Sequence, residues 1–207
     1  DRRRPNHKIL WSDVRSRRLS ERYQESQVPG QDGKTVFVTG ANTGIGFDTA
    51  RVLAEKGARV LLGCRDEQRA MKAMNAIRAR APSASLAWVE LDLTSLASIR
   101  SASEQVLAED RLDLLVNNAG VMVPPKTRTQ DGFELQFGVN HLGHFALTGH
   151  LLPILKRQPD ARIVTVSSLA HRGGKIDFDD LQANQSYSRM KRYQMSKLAN
   201  ILFTLAL

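Results

Sequence analysis

The sequence predicts an α/β domain built on a doubly wound parallel sheet. From residue 34 onward, short β-rich runs that are apolar throughout alternate with longer helical patterns. Strands covered by helices on both faces have such continuous apolar runs, and the alternation favours parallel pairing. A glycine-rich turn directly follows the first run, as in the first strand-to-helix connection of doubly wound sheets. The 207 residues suffice for one large core.

Five runs predict the strands, at residues 34–39, 58–64, 86–91, 112–116 and 161–167. The first helical pattern spans 44–56 and ends before Gly57, which is a good stop signal. The other predicted helices extend to about residue 79, over 95–108, within 130–155 and from about 187 to the end. This order of elements is that of a Rossmann fold.

Residues 1–33 are interpreted as a basic N-terminal arm that precedes a single domain at 34–207. The arm holds eight Lys and Arg residues against five acidic ones, and the net charge of +9 is spread along the whole chain. A nucleic-acid interface would need a concentrated basic patch with interleaved aromatic residues. The arm offers only Trp11 and Tyr23, so we expect no nucleic-acid binding.

Cysteine content and hydropathy indicate the compartment. The single cysteine, Cys64, excludes an internal disulfide. No apolar run approaches the roughly 20 residues that a transmembrane helix needs, and the start has no signal-peptide pattern. We therefore expect a cytoplasmic protein without a transmembrane segment.

The stretch TGANTGIG at 39–46 joins the first strand to the first helix. In such a loop one glycine makes the turn, one lets the backbone approach a pyrophosphate, and one lets the helix pack close to the strand. The diphosphate then lies on the free N–H groups at the start of the helix. We expect the loop to bind a dinucleotide through Gly40, Ala41, Asn42, Thr43, Gly44, Ile45 and Gly46.

The end of the second strand indicates which dinucleotide is bound. An acidic residue there would hold the ribose 2′-hydroxyl of NAD, whereas a nearby arginine suits the 2′-phosphate of NADP. Cys64 occupies the position of the acid, and Arg65 offers a guanidinium fork. Asp66 follows, and we interpret it as the N-cap of the next helix. NADP(H) is therefore favoured over NAD(H).

Three groups of polar residues are predicted to meet at the carboxyl ends of the strands, where ligands bind in open α/β sheets. NNAG at 117–120 follows the fourth strand, and the pair Ser167–Ser168 follows the fifth. Tyr193 and Lys197 are spaced i,i+4 on the last helix and so share one face. At an effective dielectric of about 20, a positive charge about 4 Å away favours a phenolate by roughly 4 kcal/mol. This pairing is suited to acid/base chemistry.

Taken in order, these motifs resemble the classical short-chain dehydrogenase/reductase family. The motifs are TGANTGIG, the Asp-Leu pair at 92–93, NNAG, VNHLGHF, VTVSS and YQMSK, and the likeness covers residue 34 to the end. GCRD, VNHLGHF, VSSLAH and SKLANILFT are similar, more narrowly, to the retinol dehydrogenase-like branch and its bacterial oxidoreductase relatives.

The resemblance implies roles for individual residues. Tyr193 matches the general acid/base, and Lys197 matches the lysine that binds the nicotinamide ribose and favours the ionised phenol. Ser168 matches the catalytic serine, and Asn140 the asparagine that kinks the long helix and holds a water in the proton relay. The cofactor contacts implied beyond the loop and Arg65 are Asp92, Leu93, Asn118, Ala119, Gly120, Tyr193 and Lys197.

The implied activity is an NADP(H)-dependent, metal-free interconversion of a carbonyl and an alcohol on a small hydrophobic, retinal- or retinol-like substrate. One alternative is a light-dependent protochlorophyllide reductase, but a cysteine is expected near its pigment, and Cys64 lies at the nucleotide end. Another is a regulatory nucleotide-binding protein without turnover, which the loss of a catalytic residue would favour. None is lost. His141 and His144 are interpreted as structural or surface residues, because no third metal ligand is apparent.

The resemblance also implies assembly and extent. We expect a homo-oligomer, formed through the long helix around Phe145 and the last helix around Leu202. The family pattern continues beyond ILFTLAL, so the sequence resembles a fragment truncated after the helix that carries Tyr193. An interior strand would then be left at an open edge. We expect residues 1–207 alone to be poorly soluble and nearly inactive.

Overall fold

The computed structural model describes residues 23–207. The first 22 residues of the predicted arm therefore lie outside the described residues. Within the described part, Glu25 pairs with Arg51 at 2.6 Å, and the Gln31 N–H donates to the Lys56 carbonyl at 2.7 Å. The segment that precedes the first strand thus packs along the first helix.

One sheet of five parallel strands forms the centre of the fold. The strands are β1 (Thr35–Thr39), β2 (Arg59–Cys64), β3 (Leu86–Glu90), β4 (Leu114–Asn117) and β5 (Arg162–Thr165). Their order across the sheet is β3-β2-β1-β4-β5, and every pairing is parallel. The predicted doubly wound α/β fold is confirmed.

The helices are α1 (Gly44–Glu55), α2 (Glu67–Arg80), α3 (Leu96–Leu107), α4 (135–155) and α5 (Arg189–Ala206). Helix α4 has three parts: a helical turn at Leu135–Phe137, a π-helical turn at Gly138–Leu142 and a regular helix at Gly143–Leu155. Short 3₁₀ turns occupy Glu25–Gln27 and Leu169–Gly173. None of the helices within residues 23–207 is long and apolar enough to cross a membrane.

The long helix lies within the predicted range, and the fifth strand ends two residues earlier than predicted. The helix expected within 130–155 begins at Leu135, because Arg128 and Glu134 form an antiparallel bridge that closes the preceding segment into a turn. The Glu134 carboxylate then caps the helix by accepting the N–H groups of Gln136 and Phe137. The fifth strand ends at Thr165 rather than 167, and the Val166 carbonyl accepts side-chain hydrogen bonds from α5 instead.

The core consists of two layers, one on each face of the sheet. Val36 and Val38 of β1 pack with residues of α1 and α2, whereas Phe37 packs with residues of α3 and α4. β1 is buried along its whole length. Because both faces of the sheet are covered, the accessible cleft lies along the carboxyl edge of the strands.

Candidate active site

The turn after β1 is shaped for close approach of a ligand. Gly40 and Gly44 have φ values of +66° and +56°, in the left-handed region that glycine adopts most easily. A Cβ on Gly46 would overlap the Gly40 carbonyl oxygen and the Asn118 side-chain nitrogen. The N-cap residue Thr43 makes no side-chain hydrogen bond to α1. The first N–H groups of this helix are therefore open to an anion.

A cavity of about 1080 Å³ runs along the carboxyl ends of β1, β2 and β4. Most of the predicted cofactor residues line it: Gly40, Asn42, Thr43, Ile45, Gly46, Arg65, Asp92, Leu93, Asn118, Ala119 and Gly120. The predicted cofactor residues Ala41, Gly44, Tyr193 and Lys197 are not among the lining residues, and the Ala41 side chain is wholly buried in the core below the loop. A cavity of this size accommodates a dinucleotide.

Hydrogen bonds fix two of the lining side chains. Asn118 donates through Nδ2 to the Thr39 carbonyl at 2.8 Å. Asp92 accepts the Thr94 N–H at 2.9 Å and the side-chain amide of Gln130 at 3.3 Å. Their orientation is therefore set before a ligand arrives.

The far end of the cavity carries two arginines, Arg65 and Arg69. Asp66 accepts the Arg69 N–H at 2.9 Å, which confirms the predicted N-cap of α2. Arg65 is exposed, and within the described part of the chain it has no carboxylate partner. Burial raises the pKa of the Cys64 thiol to about 11, so this group stays neutral at physiological pH.

Asn140 lies at the centre of the π-helical turn in α4 and is fully buried. Its Oδ1 accepts the Val121 N–H at 2.7 Å, and its Nδ2 donates to the Val121 carbonyl and to Ser196 Oγ at 2.9 and 3.0 Å. The side chain thus ties the segment after NNAG to α5. These bonds leave the backbone carbonyl of Asn140 as the group that could hold a water.

Tyr193 and Lys197 lie one turn apart on α5, as predicted. Lys197 Nζ is 5.8 Å from the centre of the Tyr193 ring and donates to the Val166 carbonyl at 3.1 Å. Burial lowers the pKa of the Lys197 ammonium. A Cβ on Gly120 would lie 3.1 Å from Asn140 Oδ1 and 3.6 Å from Lys197 Nζ. Asn140 and Lys197 therefore lie close to Gly120, which lines the cavity.

The two serines after β5 have different partners. Ser167 donates to the Lys197 carbonyl at 2.7 Å and so anchors α5. Ser168 is the N-cap of the 3₁₀ turn, where its Oγ accepts the Ala170 N–H at 3.2 Å. This leaves the Ser168 proton available to donate to a ligand. The choice of Ser168 over Ser167 as the reactive serine remains a prediction that this arrangement supports.

Comparison with known proteins identifies the chain. The family model described as short chain dehydrogenase matches residues 34–207. The chain belongs to the short-chain dehydrogenase family.

Curated relatives and solved structures agree with this assignment. Mouse retinol dehydrogenase 14 is 48% identical over 94% of this chain and 63% of its own length. Human retinol dehydrogenase 12 is 53% identical over 83% of this chain and 55% of its own length. The chain thus spans less than two thirds of these relatives.

Among solved structures, an uncharacterised protein from Mycobacterium paratuberculosis is 42% identical, with a TM-score of 0.78, over 89% of this chain and 65% of that one. A Pseudomonas aeruginosa RhlG/NADP active-site complex is 27% identical, with a TM-score of 0.65, over 85% of this chain and 65% of that one.

Two parts of this short-chain dehydrogenase site were missed by the sequence analysis. Arg192, next to Tyr193, forms a buried ion pair with Asp180 at 2.7 Å and holds the preceding loop against α5. Thr39, the last residue of β1, accepts the N–H groups of Asn118 and Ala119 at 2.9 Å each. Thr39 and Asn118 are 79 positions apart, so no local pattern could have indicated their contact.

The two histidines of α4 pack against other elements of the fold. His144 is fully buried, and His141 packs in an aromatic cluster with Phe137, Phe145 and Phe203. Within residues 23–207, no group of three or more His, Cys, Asp or Glu side chains is placed to hold a metal ion.

Proposed function

We propose that the protein is an NADP(H)-dependent oxidoreductase that interconverts a carbonyl and an alcohol on a hydrophobic substrate of the retinal or retinol type. The observation that carries this proposal is the proximity of Asn140 Oδ1 and Lys197 Nζ to Gly120, which lines the dinucleotide-sized cavity. Tyr193 lies one turn from Lys197 on the same face of α5.

The residues fit a dinucleotide. The loop around Gly46 leaves no room for a Cβ, so the backbone can approach a ligand closely. The uncapped N–H groups at the start of α1 suit a diphosphate. Arg65, with Arg69 beside it, suits a 2′-phosphate. Of the two carboxylates that line the cavity in the described residues, Asp66 is held by the Arg69 N–H and Asp92 by the Thr94 N–H. The NADP in the Pseudomonas aeruginosa relative is consistent with this preference. When bound, the cofactor would supply or accept a hydride at the substrate carbon.

Tyr193 would give or take the proton on the substrate oxygen, and Ser168 would donate a hydrogen bond to the same oxygen. Lys197 would hold the ribose and favour the ionised phenol, since its positive charge lies on the same face of α5. Fixed donors around a developing charge are an efficient source of catalysis.

Apolar side chains next to the catalytic residues suggest the class of substrate. Met122, Leu169 and Met190 are 63%, 75% and 49% exposed. Met122 follows NNAG, Leu169 follows Ser168, and Met190 precedes Tyr193 by one turn of α5. Exposed apolar groups beside a polar site favour a hydrophobic substrate, in agreement with the retinol dehydrogenase names of the relatives.

The test is a panel of retinal, alkanals and ketosteroids with NADPH or NADH, followed by the absorbance of the reduced cofactor. Retinal or another lipophilic carbonyl should be reduced with NADPH. Tyr193→Phe, which keeps the ring and removes the proton, should abolish turnover and retain NADPH binding. Substantial activity of that variant on an accepted substrate would refute the mechanism.

A further inference from the structure

His144 has hydrogen-bond partners in two parts of the site. It is 1% exposed and lies in the first turn of the regular part of α4. Its Nε2 is 2.9 Å from Thr39 Oγ1, and its Nδ1 is 3.1 Å from the Asn140 carbonyl oxygen. The imidazole therefore joins the last residue of β1 to the centre of the π-helical turn.

The partners of Thr39 determine which ring nitrogen carries the proton. Thr39 Oγ1 already accepts the N–H groups of Asn118 and Ala119. A hydroxyl has two lone pairs and one proton, so Thr39 can only donate to a third partner. The Val116 carbonyl is 3.4 Å away, whereas His144 Nε2 is at 2.9 Å and receives the shorter bond. Nε2 must then be the acceptor.

A neutral imidazole that accepts at Nε2 carries its proton on Nδ1. That proton points to the Asn140 carbonyl. A continuous series of hydrogen bonds therefore runs from the N–H groups of NNAG through Thr39 and His144 to Asn140. Burial lowers the pKa of His144 to about 4, and the nearby Lys197 ammonium acts in the same direction. The ring is therefore neutral at physiological pH, as this series of hydrogen bonds requires.

We propose that His144 is a positioning residue, which fixes the Asn140 carbonyl relative to Thr39 and to the NNAG segment that Thr39 holds. The proposal rests on the proposed function and extends it. Carbonyls in a π-helical turn lack the regular α-helical pattern, and the side chain of Asn140 is already committed to Val121 and Ser196. Through its bond from His144, the carbonyl is held by the same hub, Thr39, that orients Asn118 and Ala119.

Two substitutions separate the two bonds of the ring. His144→Asn keeps a donor at the position of Nδ1, and His144→Gln keeps an amide at the position of Nε2. If the link from Thr39 through the ring to the Asn140 carbonyl positions the site, each variant should lose at least about ten-fold in kcat, because each breaks one of the two bonds. Both variants should keep the Kd for NADPH within about three-fold of the wild type. The value of kcat is normalised to the number of NADPH-binding sites, so that unfolded protein does not contribute. An unchanged kcat in either variant would overturn the proposal.

The tautomer is measured independently of turnover by ¹⁵N NMR of the histidine rings. The chain has five histidines, and the signal missing in His144→Asn identifies His144. We expect a neutral ring protonated at Nδ1 at pH 7. A proton on Nε2, or a charged ring, would overturn the hydrogen-bond chain whether or not the enzyme is active. A wild-type protein with the expected tautomer that reduces no carbonyl would instead sink the proposed function, and with it the role of His144 in turnover.

Discussion

Gly46 should be the glycine whose replacement does most damage to the nucleotide loop. In Gly46→Ala the new Cβ overlaps the Gly40 carbonyl oxygen and the Asn118 side-chain nitrogen. Neither can move easily, because the Gly40 N–H donates to the Gly63 carbonyl at 2.7 Å and Asn118 Nδ2 donates to the Thr39 carbonyl at 2.8 Å.

The size of the effect follows from two opposing contributions. Overpacking typically costs about 1–3 kcal/mol, and replacing a helical glycine by alanine returns about 0.5–1 kcal/mol. Because the added Cβ would overlap a backbone atom, the upper end of the overpacking range applies, and Gly46→Ala should lower the free energy of unfolding by about 2 kcal/mol. Displacement of the Gly40 carbonyl should also raise the Kd for NADPH at least about ten-fold, which corresponds to about 1.4 kcal/mol of binding free energy.

Urea denaturation and fluorescence titration with NADPH measure both quantities, at low protein concentration so that association of copies does not contribute. The matched control is Gly149→Ala in α4, where the added Cβ meets no atom within 4 Å. It should be more stable by about 0.5–1 kcal/mol and bind NADPH normally. If Gly46→Ala matched the wild type in stability and in NADPH affinity, the reasoning about the loop would be refuted.

Three further predictions concern cofactor choice, acid stability and assembly. Arg65→Ala should raise KM for NADPH about ten-fold or more and leave NADH almost unchanged; equal losses in steady-state assays would contradict the assignment. Because burial holds the pKa of folded His144 at about 4 against 6.5 when unfolded, only the unfolded state gains a proton between these values. Stability should therefore fall by about 2 kcal/mol from pH 7.5 to 5, and urea denaturation should show a smaller fall in His144→Asn. The exposed side chains of Phe145 and Leu202 should form an interface between copies, so Phe145→Asp should shift light scattering toward a monomer, and a wild-type monomer at micromolar concentration would count against it.

The parts of the fold that follow local patterns were predicted from the sequence. The five strands are short apolar runs, and α1 begins at the glycine loop as the spacing indicated. The start of α4 at Leu135 lies within the predicted range, but its exact residue could not be predicted, because it depends on the pairing of Arg128 with Glu134 and on the Gln182 side chain, which accepts the Glu134 N–H from 48 residues away. Such tertiary contacts override local propensity.

In the candidate site too, the features that follow local spacing were predictable and those set by tertiary contacts were not. Tyr193 and Lys197 are neighbours on one helix, so their spacing alone brought them together. The hub at Thr39 joins segments separated by as many as 105 residues, and no periodicity reveals it. Ser167 and Ser168 are adjacent and chemically alike, and only their partners, the Lys197 carbonyl and the Ala170 N–H, distinguish an anchoring hydroxyl from one free to donate.

The way Lys197 is held matters for its proposed role. Its ammonium donates to the Val166 carbonyl, and Asn200 donates to the same oxygen. No carboxylate pairs with Lys197 in the part of the chain that the structure describes. A carboxylate would orient the ammonium but cancel most of its field, whereas a carbonyl orients it and leaves the charge in place. One of its three protons is used by Val166, so the other two can face the ribose while the charge acts on the phenol of Tyr193.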